Sequence, residues 1–198
     1  MPEARQDDGG RGSRARVFFA LWPDDESARR LHAQALQIRA ECGGRAMRRE
    51  TLHLTLAFLG EVARTDLERL RAVGDLVSGE PFRLVIDRVG GWAHNRIVWA
   101  GTSEPPQPLR ALAQSLIGHL AAAGFPTEQR KFTPHVTLVR KAVHRCEARA
   151  IEGCGWDVGR FVLVESTLGA EGAHYRVIGE WQLRRTESGG IVPSGPQH

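Results

Sequence analysis

Two short segments of this chain repeat one another, Leu52-His53-Leu54-Thr55-Leu56 and Pro134-His135-Val136-Thr137-Leu138. Both read His-x-Thr-aliphatic, and they stand 82 residues apart. A β-strand sends successive side chains to opposite faces. On that rule His53 and Thr55 share one face, while Leu52, Leu54, Leu56 and Phe58 take the other. His135 and Thr137 share a face in the same way, opposed by Val136 and Leu138. Each segment thus buries an apolar side and presents a polar His/Thr couple, which requires a sheet with one packed face. One copy would carry little weight. Two copies of matching parity point to a duplicated half with one such strand in each, though they are too few for a solenoid.

The flanking sequence alternates strand and helix signals. Residues 16–22 are β-branched and aromatic and predict a strand. Pro23-Asp24-Asp25-Glu26 then opens a helix, since Pro and acids suit a first turn. Ala28, Leu31, Ala35 and Ile38 share one face of it, and Cys42-Gly43-Gly44 ends it. Residues 52–59 are the next strand. Thr65-Asp66-Leu67-Glu68 has capping-box spacing and starts a second helix. Residues 82–89 and 96–100 read as a strand pair turning through Gly90-Gly91-Trp92. Pro105-Pro106-Gln107-Pro108 introduces a third helix with Leu109, Leu112, Leu116, Ile117 and Leu120 on its apolar side. Residues 136–139 form a strand, and 161–168 with 175–183 a closing hairpin. Adjoining strands with few helical crossovers predict an α+β fold. Residues 1–15 read as a flexible lead, 16–185 as the domain and 186–198 as a flexible tail.

Histidine titrates near neutral pH, so one of a pair can act as base while the other acts as acid. Opening a cyclic phosphodiester needs both, on opposite sides of phosphorus. His53 and His135 are the candidate catalytic pair. The Thr55 and Thr137 hydroxyls can donate to non-bridging phosphate oxygens. No metal is expected, because neither motif carries a second His, Cys or carboxylate at ligand spacing and threonine is a poor zinc ligand. Three cysteines, an odd number without a C-x-x-C pair, predict free thiols in a reducing compartment. The formal charge of +4, with arginine in excess, suits a polyanionic partner. No run reaches the roughly 20 apolar residues of a membrane span, and the first ten residues lack the apolar segment of a secretory signal. A cytoplasmic monomer is expected, with no membrane association.

The sequence also resembles the two-histidine phosphoesterase superfamily, and within it the bacterial and archaeal RNA 2′,3′-cyclic phosphodiesterases, also called 2′-5′ RNA ligases. The resemblance rests on Leu52 through Val62, on Phe132 through Arg140, and on fainter echoes at Arg16-Val17-Phe18-Phe19-Ala20, Arg96-Ile97-Val98-Trp99 and Ser166 through Tyr175. It implies a bilobal fold of two pseudo-symmetric antiparallel sheets, with outer helices flanking a central cleft. It implies hydrolysis of RNA 2′,3′-cyclic phosphate ends, or of small cyclic nucleotides, to 2′-phosphomonoesters without cofactor. It implies that His53 donates a proton to the leaving 3′ oxygen and that His135 accepts one from water. Arg130 falls where the family has an arginine before the second motif and is a candidate phosphate contact. Phe18 or Phe19 can stack on a base; by alternation only one faces the cleft, and Phe19 is the candidate. Tyr175 is a further candidate for the cleft wall.

Two other functions use parts of the same evidence. A 2′-5′ ligase joining tRNA halves would run on the same histidines, but the chain has no G-x-x-x-x-G-K-[ST] loop to supply triphosphate energy. A non-catalytic RNA-binding module would need the basic surface and not the paired histidines.

Overall fold

The computed structural model describes residues 14–127, 132–169 and 172–185. The expected tail and nearly all of the expected lead lie outside them; Arg14 and Ala15 already belong to the first strand. In chain order the elements are β1 (Arg14–Leu21), α1 (Asp25–Cys42), β2 (Arg45–Ala46), β3 (Leu54–Ala63), α2 (Leu67–Leu76), β4 (Phe82–Trp92), β5 (Ile97–Gly101), α3 (Gln107–Ala122), β6 (His135–Arg140), β7 (Arg149–Val158), β8 (Arg160–Gly169) and β9 (Gly172–Gln182). The Asp24 carboxylate caps α1 by accepting from the Ser27 N–H at 2.7 Å. At its far end Gly43 takes φ +69°, a left-handed conformation natural to glycine.

Every strand pairing is antiparallel. Among the described residues the strands run β7-β4-β5-β6-β3-β1-β8-β9, with β2 added beside β6. The two expected sheets are the halves of this path, and they meet at one backbone pair, Leu54 with Val136. Those are the middle residues of the two His-x-Thr motifs. Two helices pack across the join, α1 on β6 and β7 and α3 on β3, while α2 lies on α3 and on β9 of its own half. One apolar cluster consequently runs through both halves, from Phe19 and Leu21 to Leu84, Ile86 and Trp156.

Besides the short β2, which no sequence signal predicts, the structure departs from the predicted elements in three places. No side-chain cap opens α2; the chain enters it through a 3-10 turn over Arg64–Asp66, and Glu68 pairs with Arg71 instead. The β4–β5 turn lies at 93–96, because Gly90 and Gly91 stay in the strand. Those glycines admit close neighbours: a Cβ on Gly90 would stand 2.6 Å from the Trp99 indole, and one on Gly91 2.8 Å from the Cys146 carbonyl. Strand β7 is absent from the predicted elements, since its glycines and charges obscure the alternating Cys154, Trp156 and Val158 that it buries.

Candidate active site

The seam between the half-sheets builds the site. Leu54 and Val136 are fully buried, so the residues flanking them face the other way. The antiparallel register sets His53 across from Thr137 and Thr55 across from His135. All four line one cavity of about 470 Å³. Each half thus supplies a histidine and the threonine that stands opposite its counterpart's histidine.

Both imidazoles are anchored alike. Nδ1 of His53 lies 2.7 Å from the Thr51 carbonyl, and Nδ1 of His135 2.8 Å from that of Thr133. A carbonyl only accepts, so each Nδ1 carries the hydrogen and donates it. Proton exchange with the cavity therefore runs through Nε2 on both rings. The repeat is in effect Thr-x-His-x-Thr, a longer pattern than the His-x-Thr read from sequence, and the leading threonine contributes its backbone.

A bulge interrupts each motif strand at the same position. The partners of β1 skip Leu56, and those of β5 skip Leu138, so one residue after each threonine is extra. Such a bulge reverses the parity of the residues beyond it and re-aims their side chains. Past Leu138, Val139 is buried and Arg140 turns to the cavity beside His135 and Thr137. Strict alternation would have put Arg140 on the apolar face. Its counterpart in the first half is Phe58, which also lines the cavity and carries the Arg16 guanidinium 4.8 Å from its ring centroid.

Aromatic rings hold His53. Phe18 stacks on one side at 4.7 Å between centroids and Trp22 at 5.1 Å, while Tyr175 meets the ring edge-on at 5.2 Å. His135 meets Trp92 edge-on at 4.6 Å. The assignment of Phe19 to the cleft is corrected: Phe19 is 0% exposed and packs against Phe161 and Trp181 in the core. Phe18 is the cleft-side residue, but at 4% exposure it supports His53 and leaves no face for a base. Arg130 lies outside the described residues. Trp22, Trp92 and Arg140 escape the sequence reading. The first two sit at element ends where no periodicity marks a face, and the third depends on the bulge.

Burial pushes the His53 pKa down from 6.5 to about 4, against the raising effect of the Thr51 carbonyl, with Arg140 and His135 adding further repulsion. Burial also raises the Tyr175 phenol, opposed by Arg140, Arg16 and Arg48. Among the described residues no group of three His, Cys, Asp or Glu side chains gathers to hold a metal ion.

A model of the 2′-5′ RNA ligase superfamily matches residues 23–170. The RNA 2′,3′-cyclic phosphodiesterase of Escherichia coli K12 is 34% identical over 173 residues, spanning 85% of this chain and 96% of that protein. The protein of the same name from Thermus thermophilus is 31% identical over 193 residues, spanning 91% of this chain and 96% of that protein. The crystal structure of E. coli LigT complexed with 3′-AMP superposes with a TM-score of 0.76 at 31% identity, covering 87% of this chain and 100% of that one.

Proposed function

The chain belongs to the 2′-5′ RNA ligase superfamily of two-histidine phosphoesterases, and from that premise we propose that it is an RNA 2′,3′-cyclic phosphodiesterase whose general acid and base are His53 and His135. The observation that carries the reading is the seam itself. Two imidazoles with committed Nδ1 atoms border one cavity, each opposite the other motif's threonine.

In this scheme the cyclic phosphate lies between the two Nε2 atoms. His135 accepts a proton from water as the oxygen attacks phosphorus. His53 gives a proton to the departing 3′ oxygen on the far side, and a 2′-phosphomonoester remains. The Thr55 and Thr137 hydroxyls donate to the non-bridging oxygens, and Arg140 offsets their charge. A donor must first hold a proton, and burial by the protein alone favours neutral His53 near pH 7. The phosphodiester anion supplies the missing compensation. Beside it the imidazolium gains an attractive partner that works against both the burial and the repulsion from Arg140, and the pKa rises. Substrate binding thus favours the charged acid. Arg130 is a further proposed phosphate contact. Three buried free thiols support a reducing, cytoplasmic setting. No helix among the described residues is long and apolar enough to cross a membrane.

The test is product analysis on a short RNA with a 2′,3′-cyclic end, run with His53→Ala and His135→Ala beside the wild type. The wild type yields a 2′-phosphate end. Each variant loses at least about 10²-fold, the scale of one general acid or base, with circular dichroism unchanged. A folded variant of either kind with undiminished turnover defeats the scheme, and so does a joined or 3′-phosphate product from the wild type.

A further inference from the structure

A second groove, of about 360 Å³, meets the catalytic cavity at Arg140, which lines both. Arg16, Arg45 and Arg48 line it as well, with Tyr175 on its wall. Among the described residues that line it there is no Asp or Glu. The nearby Glu50 carboxylate is engaged with Arg48 at 3.3 Å, and Arg48 also donates to the Ala173 carbonyl at 2.8 Å.

Arg45 and Arg140 are direct cross-strand partners on β2 and β6. Like charges facing one another across a strand pair destabilise it. The fold nevertheless brings them together. Gly44, at φ +88°, lets β2 come so close that a Cβ there would stand 2.7 Å from the Arg140 carbonyl. The Arg45 guanidinium then reaches across to β9, where a Cβ on Gly172 would stand 3.3 Å from it. Two arginines at paired strand positions, both lining this groove, suit an anion that enters from outside.

We propose that this groove seats the internucleotide phosphate immediately upstream of the cyclic end, so that the protein prefers an RNA terminus to a free cyclic nucleotide. The inference rests on the cyclic phosphodiesterase reading and specifies its substrate. In a terminal nucleotide the base leaves the ribose at C1′ and the chain continues through C5′, in different directions. The larger cavity, walled by Trp92, Ile117 and Phe132, has space and apolar surface for the nucleoside. The groove beyond Arg140 has the charge for the next phosphate.

The experiment compares adenosine 2′,3′-cyclic phosphate with an ApA dinucleotide that ends in a 2′,3′-cyclic phosphate, in wild type, Arg45→Ala and Arg45→Lys. In Arg45→Ala kcat/KM for the dinucleotide falls about tenfold, the scale of one charged phosphate contact, and the cyclic mononucleotide stays within about twofold. Arg45→Lys keeps the charge and recovers most of the loss. In the wild type the salt dependence of dinucleotide binding is steeper by about one unit of slope than in Arg45→Ala. Equal losses on both substrates, or none on the dinucleotide, overturn the proposal. Calorimetric binding of ApA ending in a 3′-phosphate, against 3′-AMP, decides it without turnover: Arg45→Ala weakens the first about tenfold and spares the second. Should the wild type hydrolyse neither cyclic substrate, the phosphodiesterase reading fails, and the binding arm still decides the groove.

Discussion

At the scale of the residue, His53 is the most constrained side chain in the site. Its ring is stacked by Phe18 and Trp22, met edge-on by Tyr175, and tied to the Thr51 carbonyl. Burial is what lowers its pKa to about 4, and the Thr51 hydrogen bond works against it. The consequence for stability has a definite sign. Between pH 6.5 and 4 the unfolded chain binds a proton at His53 that the folded protein refuses. The contribution of this group is therefore fully present above pH 6.5 and is lost as pH falls toward 4. Its size is at most about 3 kcal/mol. We predict that urea midpoints of the wild type decline between pH 7 and pH 4.5 and that His53→Asn flattens the decline. Parallel pH profiles for the two proteins would contradict it. A titration of the His53 ring by NMR adds a second check: the pKa near 4 in the free protein should move up by a unit or more with 2′-AMP bound. No such upward movement would remove the idea that substrate charges the acid.

At the scale of the element, the two bulges decide what alternation alone cannot. The sequence puts His53 with Thr55 and His135 with Thr137 on the faces that line the cavity, because a period of two is intact up to each threonine. It then fails one residue later. Nothing in Thr137-Leu138-Val139-Arg140 announces that Leu138 is extra, since both Leu138 and Val139 are apolar and both end buried. The same limit explains Phe18 and Phe19, two equal aromatics that alternation separates without saying which one faces the cleft. It explains β7 too, where glycines that admit neighbouring backbone dilute the pattern. What composition and period do carry is the order of the elements other than β2 and β7, and the three helices of the described residues fall where Pro, acidic first turns and apolar stripes put them, α2 without its expected cap. The bulge makes a testable difference at Arg140. On a regular strand this arginine would sit on the opposite face from the histidines, and its loss would leave catalysis alone. Turned to the cavity, it borders the place proposed for the phosphate. Arg140→Ala is predicted to reduce kcat/KM for adenosine 2′,3′-cyclic phosphate by about tenfold to a hundredfold. Its effect on stability stays within about 0.5 kcal/mol, as for other exposed side chains, with relief of the repulsion against Arg45 acting in its favour. Unchanged kinetics in a folded variant would remove Arg140 from the site.

At the scale of the whole molecule, pseudo-symmetry raises the question of whether the halves are separate folding units. The backbone argues for separation, since the half-sheets share a single pair at Leu54 and Val136. The packing argues against it. Helix α1 follows β1 in one half and lies on β6 and β7 of the other; α3 follows β5 and lies on β3. Each half-sheet is therefore covered by a helix whose preceding strand belongs to its counterpart. The apolar cluster has no break at the seam, and removing either half would strip the other of part of its cover. Burial of apolar surface is the dominant favourable term in folding, and here it is shared across the join. The geometry of the candidate site gains from this arrangement, because both histidines sit on the line along which the halves are locked. We predict one cooperative thermal transition, with calorimetric and van't Hoff enthalpies equal. Circular dichroism and the fluorescence of Trp22, at the site, should follow the same curve as that of Trp156, in the β7 half, when each is read in a variant lacking the other tryptophans. Two resolved transitions, or a Trp22 signal lost well before that of Trp156, would mean that the halves melt independently and that the seam is a hinge between two bodies.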